Sequence, residues 1–299
     1  MSVRIRRLAL ALACSLVVGG LVEVVALSFT AVVKLVHPRR AHSIVTPTTL
    51  GLAYEVANFL SLDGTELKGW FIPGRSGASI VLAHGYGGEK SALLPIARFL
   101  NEEGGFSVLL FDFRASGESG GDTFTAGYYE REDLVGAVQY LRGRRDGRSE
   151  RIGVWGISMG ASVAILGAAM TDAIDAVVAD SPFQSLSTLL SHSFERIFGL
   201  PRFPFQPIAV RLAELRSELP IDAVTSIDEI GKISPRPLMI IHGAEDALIP
   251  VSESQDLYRA AGEPKELWVV AGAGHGQAHR LRTGEYEERV TAFFSDHLR

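Results

Sequence analysis

Cysteine is almost absent from this chain. Cys14 is the single one, so no disulfide can form within the chain, and oxidising and reducing surroundings are equally allowed. An excess of basic charge is also lacking. The formal net charge is -5, which leaves no electrostatic footprint for nucleic acid. No His and Cys cluster has the spacing of metal ligands. No Gly-rich loop carries the Lys of a phosphate-binding loop. Neither a metal nor a cofactor is therefore expected. Internal repeats and low-complexity tracts are missing too. Against these absences, 47% of the 299 residues are hydrophobic and 21% charged. That is enough for one large α/β domain and a short extra segment.

The longest apolar run is at the N-terminus. Leu8 to Val36 carries only Glu23 and Lys34 as charges, between Arg4, Arg6, Arg7 and Arg39, Arg40. About 20 apolar residues cross a bilayer. Residues 1–40 are therefore expected to form a single-pass, uncleaved membrane anchor. A cleaved, secreted form is the alternative: Ala26-Leu27-Ser28 offers a small-residue site, but apolar residues continue past it. Basic residues are balanced across the two ends and give no orientation. Ala11, Ser15, Gly19 and Glu23 share one helix face, a stripe suited to weak self-association.

Residues 41–51 read as a polar linker. From 52 to 299 strand-like and helix-like runs alternate, beginning with a hairpin around Asp63-Gly64. Such alternation implies an α/β fold: a mostly parallel sheet with helices on both faces. The alternation breaks between Pro182 and Pro235. There Phe183, Phe194, Phe198, Phe203 and Phe205 are interleaved with prolines. Residues 183–235 are read as short helices forming a cap over the sheet, with a plain helical connection as the alternative.

Gly156-Ile157-Ser158-Met159-Gly160 is the motif that carries chemistry. It follows a strand-like run and precedes an apolar helical one, the setting of a nucleophile elbow. The pattern alone is weak, because Gly117-Glu118-Ser119-Gly120-Gly121 also matches it. Ser119 has no strand before it and no helix after it, so it reads as a loop residue. A hydrolytic serine needs a base, an acid to orient that base, and donors for the oxyanion. In this arrangement the chain order is Ser, acid, His. Asp246 follows the strand-like Leu238–Ile241, and His275 follows Leu267–Val270 in a Gly-rich loop. Ser158, Asp246 and His275 are thus the expected triad. Glu245 and Asp180 remain alternative acids, and His279 an alternative base. His242 and His192 read as local hydrogen-bonding residues. His84-Gly85-Tyr86 follows another strand, so the backbone N–H groups of Tyr86 and Met159 are the expected oxyanion donors.

The chain resembles the α/β-hydrolase superfamily over nearly all of residues 52–299. The likeness rests on Asp63-Gly64, Gly69-Trp70, His84-Gly85, Asp112-Phe113-Arg114, Gly117-Glu118-Ser119, Gly156 to Gly160, His242-Gly243, Asp246, Ile249-Pro250 and Gly274-His275-Gly276. Within the superfamily it looks like the Bem46/ABHD-type serine hydrolases, many of which carry one N-terminal membrane helix. It departs from their loop pattern at Ala115-Ser116, where Gly and an aromatic or similar residue are common. The resemblance implies hydrolysis of an ester or thioester through an acyl-serine. The substrate is expected to be a small-molecule or lipid-like acyl ester, and the Phe-rich cap favours an apolar acyl chain. A serine peptidase or acyltransferase on the same residues, or a non-catalytic binding protein, are the competing readings.

Overall fold

The computed structural model describes residues 3–41, 43–217 and 220–298. The strands are β1 (Glu55–Leu60), β2 (Glu66–Ile72), β3 (Ala78–Ala83), β4 (Ser107–Phe111), β5 (Arg151–Ile157), β6 (Ala176–Asp180), β7 (Leu238–Gly243) and β8 (Lys265–Val270). The helices are α1 (Val3–Val36), α2 (Leu94–Glu102), α3 (Glu130–Gly143), α4 (Met159–Met170), α5 (Leu186–Phe198), α6 (Arg202–Ser217), α7 (Ser226–Glu229), α8 (Val251–Ala260), α9 (Ala278–Leu281) and α10 (Thr283–Leu298).

The strands join one sheet in the order β1-β2-β4-β3-β5-β6-β7-β8. β2 runs antiparallel to β1 and β4, and all other pairs are parallel. Parallel strands need crossovers, and these put helices on both faces. The sequence of β3 reflects this. All six of its residues are buried. Ile80 and Leu82 pack into the cluster that holds Leu94, Ala97, Tyr286 and Phe294, the side of α2 and α10. Val81 and Ala83 pack into the opposite cluster with Leu134 and Ala164, the side of α3 and α4. A strand covered twice cannot alternate apolar and polar residues.

The cap is built of two longer helices, α5 and α6, followed by short turns of helix. Its Phe and Pro content suggested only short pieces. Local signals explain the length of α5. Ser185 and Thr188 form a capping box at its start, and Gly199 closes it at φ 69°. α6 is broken near its start, where Phe203 is non-helical (φ -104°, ψ 135°). The start of the cap is stitched to α4 through Ser162, whose Oγ donates to Phe183 O (3.2 Å) and accepts from Phe183 N (3.0 Å).

α1 is one helix with two environments. It is long and apolar enough to cross a membrane, and its side chains from Arg4 to Leu27 are exposed, with Val24 half-buried. From Ser28 onward it is docked. Ser28, Ala31, Val32, Leu35 and Val36 are buried, and Ser28 Oγ donates to Phe205 O of α6 (3.2 Å). Phe124 N donates to Val36 O (2.7 Å). Just beyond, Arg40 donates to the carbonyls of Gly117, Ser119 and Gly121.

A second tie holds the hairpin to the sheet. Arg114 is buried between Asp133 of α3 (2.6 Å), Asp63 of the β1–β2 turn (2.8 Å) and Ser61 Oγ (2.9 Å). Burial raises the Asp63 carboxyl, but the hydrogen bonds from Arg114 and Thr65 together with the Arg114 charge outweigh it and hold it down to about 2. Next to this arginine, Ala115 sits at φ 55°, a conformation glycine adopts without strain. Ala115 is the first of the two residues, Ala115-Ser116, singled out in the sequence as unusual for this loop. Replacing Arg114 with Leu would leave the Asp133 carboxylate buried and unpaired. We expect Arg114→Leu to cost about 3–5 kcal/mol, measured as a shift in the urea unfolding midpoint.

Candidate active site

The elbow is a problem of space before it is a matter of chemistry. β5 ends at Ile157 and α4 begins at Met159, so Ser158 alone makes the turn. It takes φ 56° and ψ -121°, a strained conformation worth about 1–3 kcal/mol for a residue with a side chain. A Cβ on Gly156 would fall 2.2 Å from Gly160 O, and one on Gly160 would fall 2.2 Å from Ala83 O. The two glycines are therefore obligatory: strand, helix and the end of β3 touch through backbone alone. Ser158 N donates to Asp180 O (2.7 Å) and pins the turn to β6.

The structure brings Ser158, His275 and Asp246 into one line. Ser158 Oγ lies 2.8 Å from His275 Nε2, and His275 Nδ1 lies 2.7 Å from Asp246 Oδ2. The carboxylate can only accept, so Nδ1 carries the proton and Nε2 faces the serine bare. Asp246 is itself firmly held. Its Oδ1 accepts from Leu248 N and Ile249 N, both at 2.8 Å. His242 Nε2 stands 3.3 Å from its Oδ2. That imidazole accepts from Ser254 Oγ at Nδ1 (2.7 Å) and donates from Nε2 to Ile249 O (2.9 Å). Burial raises the Asp246 carboxyl, but the His242 and His275 hydrogen bonds win and hold it well below the usual carboxylate range.

The alternative residues lie elsewhere. Glu245 is exposed. His279 faces Glu287, 2.9 Å away. Asp180 is buried and accepts from Tyr286 OH (2.8 Å) and Ser181 Oγ (2.9 Å). Burial raises its carboxyl despite these bonds. Trp155 Nε1 completes the group by donating to Tyr286 OH (3.0 Å). The network carries no sequence signature, because Tyr286 arrives from α10, far along the chain. It supports the His275 loop from below, where Gly276 N donates to Ser181 Oγ (3.3 Å). Ser119 is a loop-bracing residue: its Oγ donates to Asp112 O (2.6 Å) and accepts from Lys68 N (2.9 Å).

The two candidate oxyanion donors flank the serine. Met159 N opens α4, where N–H groups have no acceptor within the helix. Tyr86 follows Gly85, on which a Cβ would lie 3.3 Å from Ser158 Cβ. His84 braces this loop: Nε2 accepts from Phe113 N (3.1 Å) and Nδ1 donates to Gly85 O (2.8 Å). Burial lowers the His84 imidazole, consistent with a neutral ring that both donates and accepts. Tyr86 OH reaches outward and donates to Lys34 O of α1 (2.8 Å).

Ser158 opens on a cavity of about 100 Å³ lined by Tyr86, Phe124, Met159, Phe183, Leu186, Leu190, Leu248 and, from α1, Leu35. Apart from the serine its walls are almost wholly apolar. A larger cleft of about 680 Å³ lies over Lys68, Trp70 and Lys90. Its buried cation, Lys90, is already held by Asp112 and Glu118 at 2.6 Å each, and the cleft does not include Ser158.

Sheet order, elbow and cap define an α/β-hydrolase. Residues 97–299 match the model of the prolyl oligopeptidase family, and the chain belongs to that family. It is 33% identical over 248 residues to the uncharacterized protein YfhR of Escherichia coli O157:H7, covering 80% of each chain. The Pyrococcus furiosus esterase Pf2001 superposes with a TM-score of 0.76 at 32% identity, over 89% of this chain and 99% of that one. A third relative, the thiohydrolase aneE of Aspergillus aculeatus, is 31% identical over 193 residues, 64% of this chain and 60% of its own.

The lowered Asp246 carboxyl makes a sign-definite prediction. A carboxyl held below its unfolded value stabilises the fold above that value, and loses this stabilisation as pH falls through the folded one. Urea midpoints of wild type and Asp246→Asn are compared from pH 7 down to about pH 2. The wild-type advantage, taken relative to its value at neutral pH, is expected to shrink steadily below about pH 4.

Proposed function

We propose that this protein is a membrane-anchored serine hydrolase that cleaves carboxylic esters or thioesters through an acyl-serine. The observation that carries the reading is the unbroken line Ser158–His275–Asp246 facing an apolar cavity. His275 Nε2 takes the proton as Ser158 Oγ attacks the carbonyl. Asp246 holds the imidazole in the right tautomer and balances its charge. The developing oxyanion is received by the N–H groups of Met159 and Tyr86. His275 then returns the proton to the leaving alkoxide or thiolate. Water, deprotonated by the same ring, releases the acid. Each oxyanion donor is worth about 2.7–4 kcal/mol of transition-state stabilisation in such sites.

Ester and thioester bonds are favoured by the relatives described as an esterase and a thiohydrolase. The family description favours a second reading, cleavage of a peptide. The apolar lining of the cavity, with no charged group among its residues, argues for an acyl chain over a peptide. Residues 1–40 serve as the anchor, 41–51 as a linker and 52–299 as the hydrolase domain with its cap. The exposed stretch of α1 from Arg4 to Leu27 would measure about 36 Å at 1.5 Å per residue, against about 30 Å of bilayer hydrocarbon.

The test is labelling with a fluorophosphonate probe, followed by turnover of p-nitrophenyl butyrate, a butyryl thioester and a glycyl-prolyl anilide. Ser158→Ala should abolish labelling and turnover. Asp246→Asn should lower kcat on the order of 10⁴-fold, because the histidine loses its tautomer. Absence of labelling in the wild type, or its persistence in Ser158→Ala, would sink the assignment. Preference for the anilide over both esters would move it to the peptidase reading.

A further inference from the structure

The wall of the candidate acyl site is partly made by the N-terminal helix. Leu35 of α1 lines the cavity in front of Ser158. It also lines a second apolar space behind, shared with Val32, Leu190, Phe198, Ala209 and Ala213. Leu35 and Leu190 belong to both spaces, so they stand as a partition between them. The rear space is small, about 10 Å³, and its lining has no polar surface. A void of that kind holds no water and lacks contacts on its inner side. It lies between α1 and the cap helices, and Val32 is one turn nearer than Leu35 to the exposed part of α1. The line from Ser158 through Leu35 to Val32 therefore runs toward the segment suited to a bilayer.

The partition is not a loose side chain near an open end. α1 is fastened on both sides of Leu35. Tyr86 OH binds Lys34 O at 2.8 Å, Phe124 N binds Val36 O at 2.7 Å, and Ser28 Oγ binds Phe205 O at 3.2 Å. Leu35 is only 9% exposed. The helix thus presents this side chain to the cavity in a fixed register.

We infer that Leu35 sets acyl-chain length by closing the end of the cavity, and that longer chains extend along the α1–α6 seam only into the room its side chain fills and the small void behind it. The inference rests on the acyl-serine reading above. The substrate class is the single-chain acyl ester, its carbonyl at Ser158 and its chain end pointing back along the membrane helix. The helix that anchors the enzyme is then also its chain-length ruler.

The experiment uses the full chain in detergent and p-nitrophenyl esters from acetate to laurate. Leu35→Ala is expected to raise the hexanoate-to-butyrate ratio of kcat/KM at least roughly tenfold, given what one or two methylenes are worth in an apolar pocket. Leu35→Phe should lower the same ratio. Ala213→Leu, which puts back from α6 the three carbons that Leu35→Ala removes, should cancel the gain when the two are combined. If thermal unfolding shows Leu35→Ala to be unfolded, Leu190→Ala tests the other half of the partition. Parallel changes across all chain lengths, or a gain that survives Ala213→Leu, overturn the inference. Fluorophosphonate labelling separates the two levels. Labelled variants with an unmoved ratio defeat only the chain-length ruler; an unlabelled wild type defeats the acyl-serine reading beneath it.

Discussion

The close approach of β5 and α4 at Ser158 is the constraint on which the rest of this structure depends. Backbone meets backbone there, with no room for a Cβ at Gly156 or Gly160. A strand that stops one residue before a helix forces the intervening side chain outward and strains its backbone. The strain is held because all sides of the turn are fixed: by β3 through Ala83, by β6 through the Asp180 carbonyl, and by the cap through Ser162. A serine on a looser turn, such as Ser119, spends its hydroxyl on bracing the chain.

Electrostatics around the serine are arranged by depth. Asp246 accepts two backbone N–H groups and two imidazole contacts, so its charge is retained under cover of the protein. Asp180 is deeper and has only hydroxyl donors, and burial pushes its carboxyl up instead. Two aspartates, one ending a strand and one just past a strand of the same sheet, thus differ in kind. One is paired with a histidine that touches the serine. The other closes a buried network of Trp155, Tyr286 and Ser181 that supports the His275 loop from beneath.

The N-terminal helix links this site to the surroundings of the protein. Its first two dozen residues face outward and its last turns are part of the hydrolase core. The phenol of Tyr86 makes the join direct, since it ties the loop beside Ser158 to the carbonyl of Lys34. The N-terminal helix and the sheet domain would be separable if joined by a free linker. Here the contacts of Val32, Leu35, Val36 and Arg40 make the end of the one a wall of the other.

Much of this was legible in order along the chain. Alternating strand and helix runs predicted a parallel sheet because each crossover leaves a local periodic trace. Ser158, Asp246 and His275 were readable as candidates because each lies just past a strand with its own local signal: tight glycines, a post-strand acid, a Gly-rich loop. The apolar run of α1 was equally plain, as was the hairpin at Asp63-Gly64. Other features depend on residues that no local pattern joins. The length of α5 depended on a Ser185–Thr188 cap that lay hidden among phenylalanines and prolines. The partnership of His242 with Asp246, the reach of Tyr286 to Asp180, and the arrival of Leu35 beside Ser158 are meetings between distant segments. The sequence by itself therefore determined the class of fold and which side chains have chemistry to offer. Only tertiary packing decided what stands around them, because periodicity and spacing record a residue's own element and not the neighbour that burial brings against it.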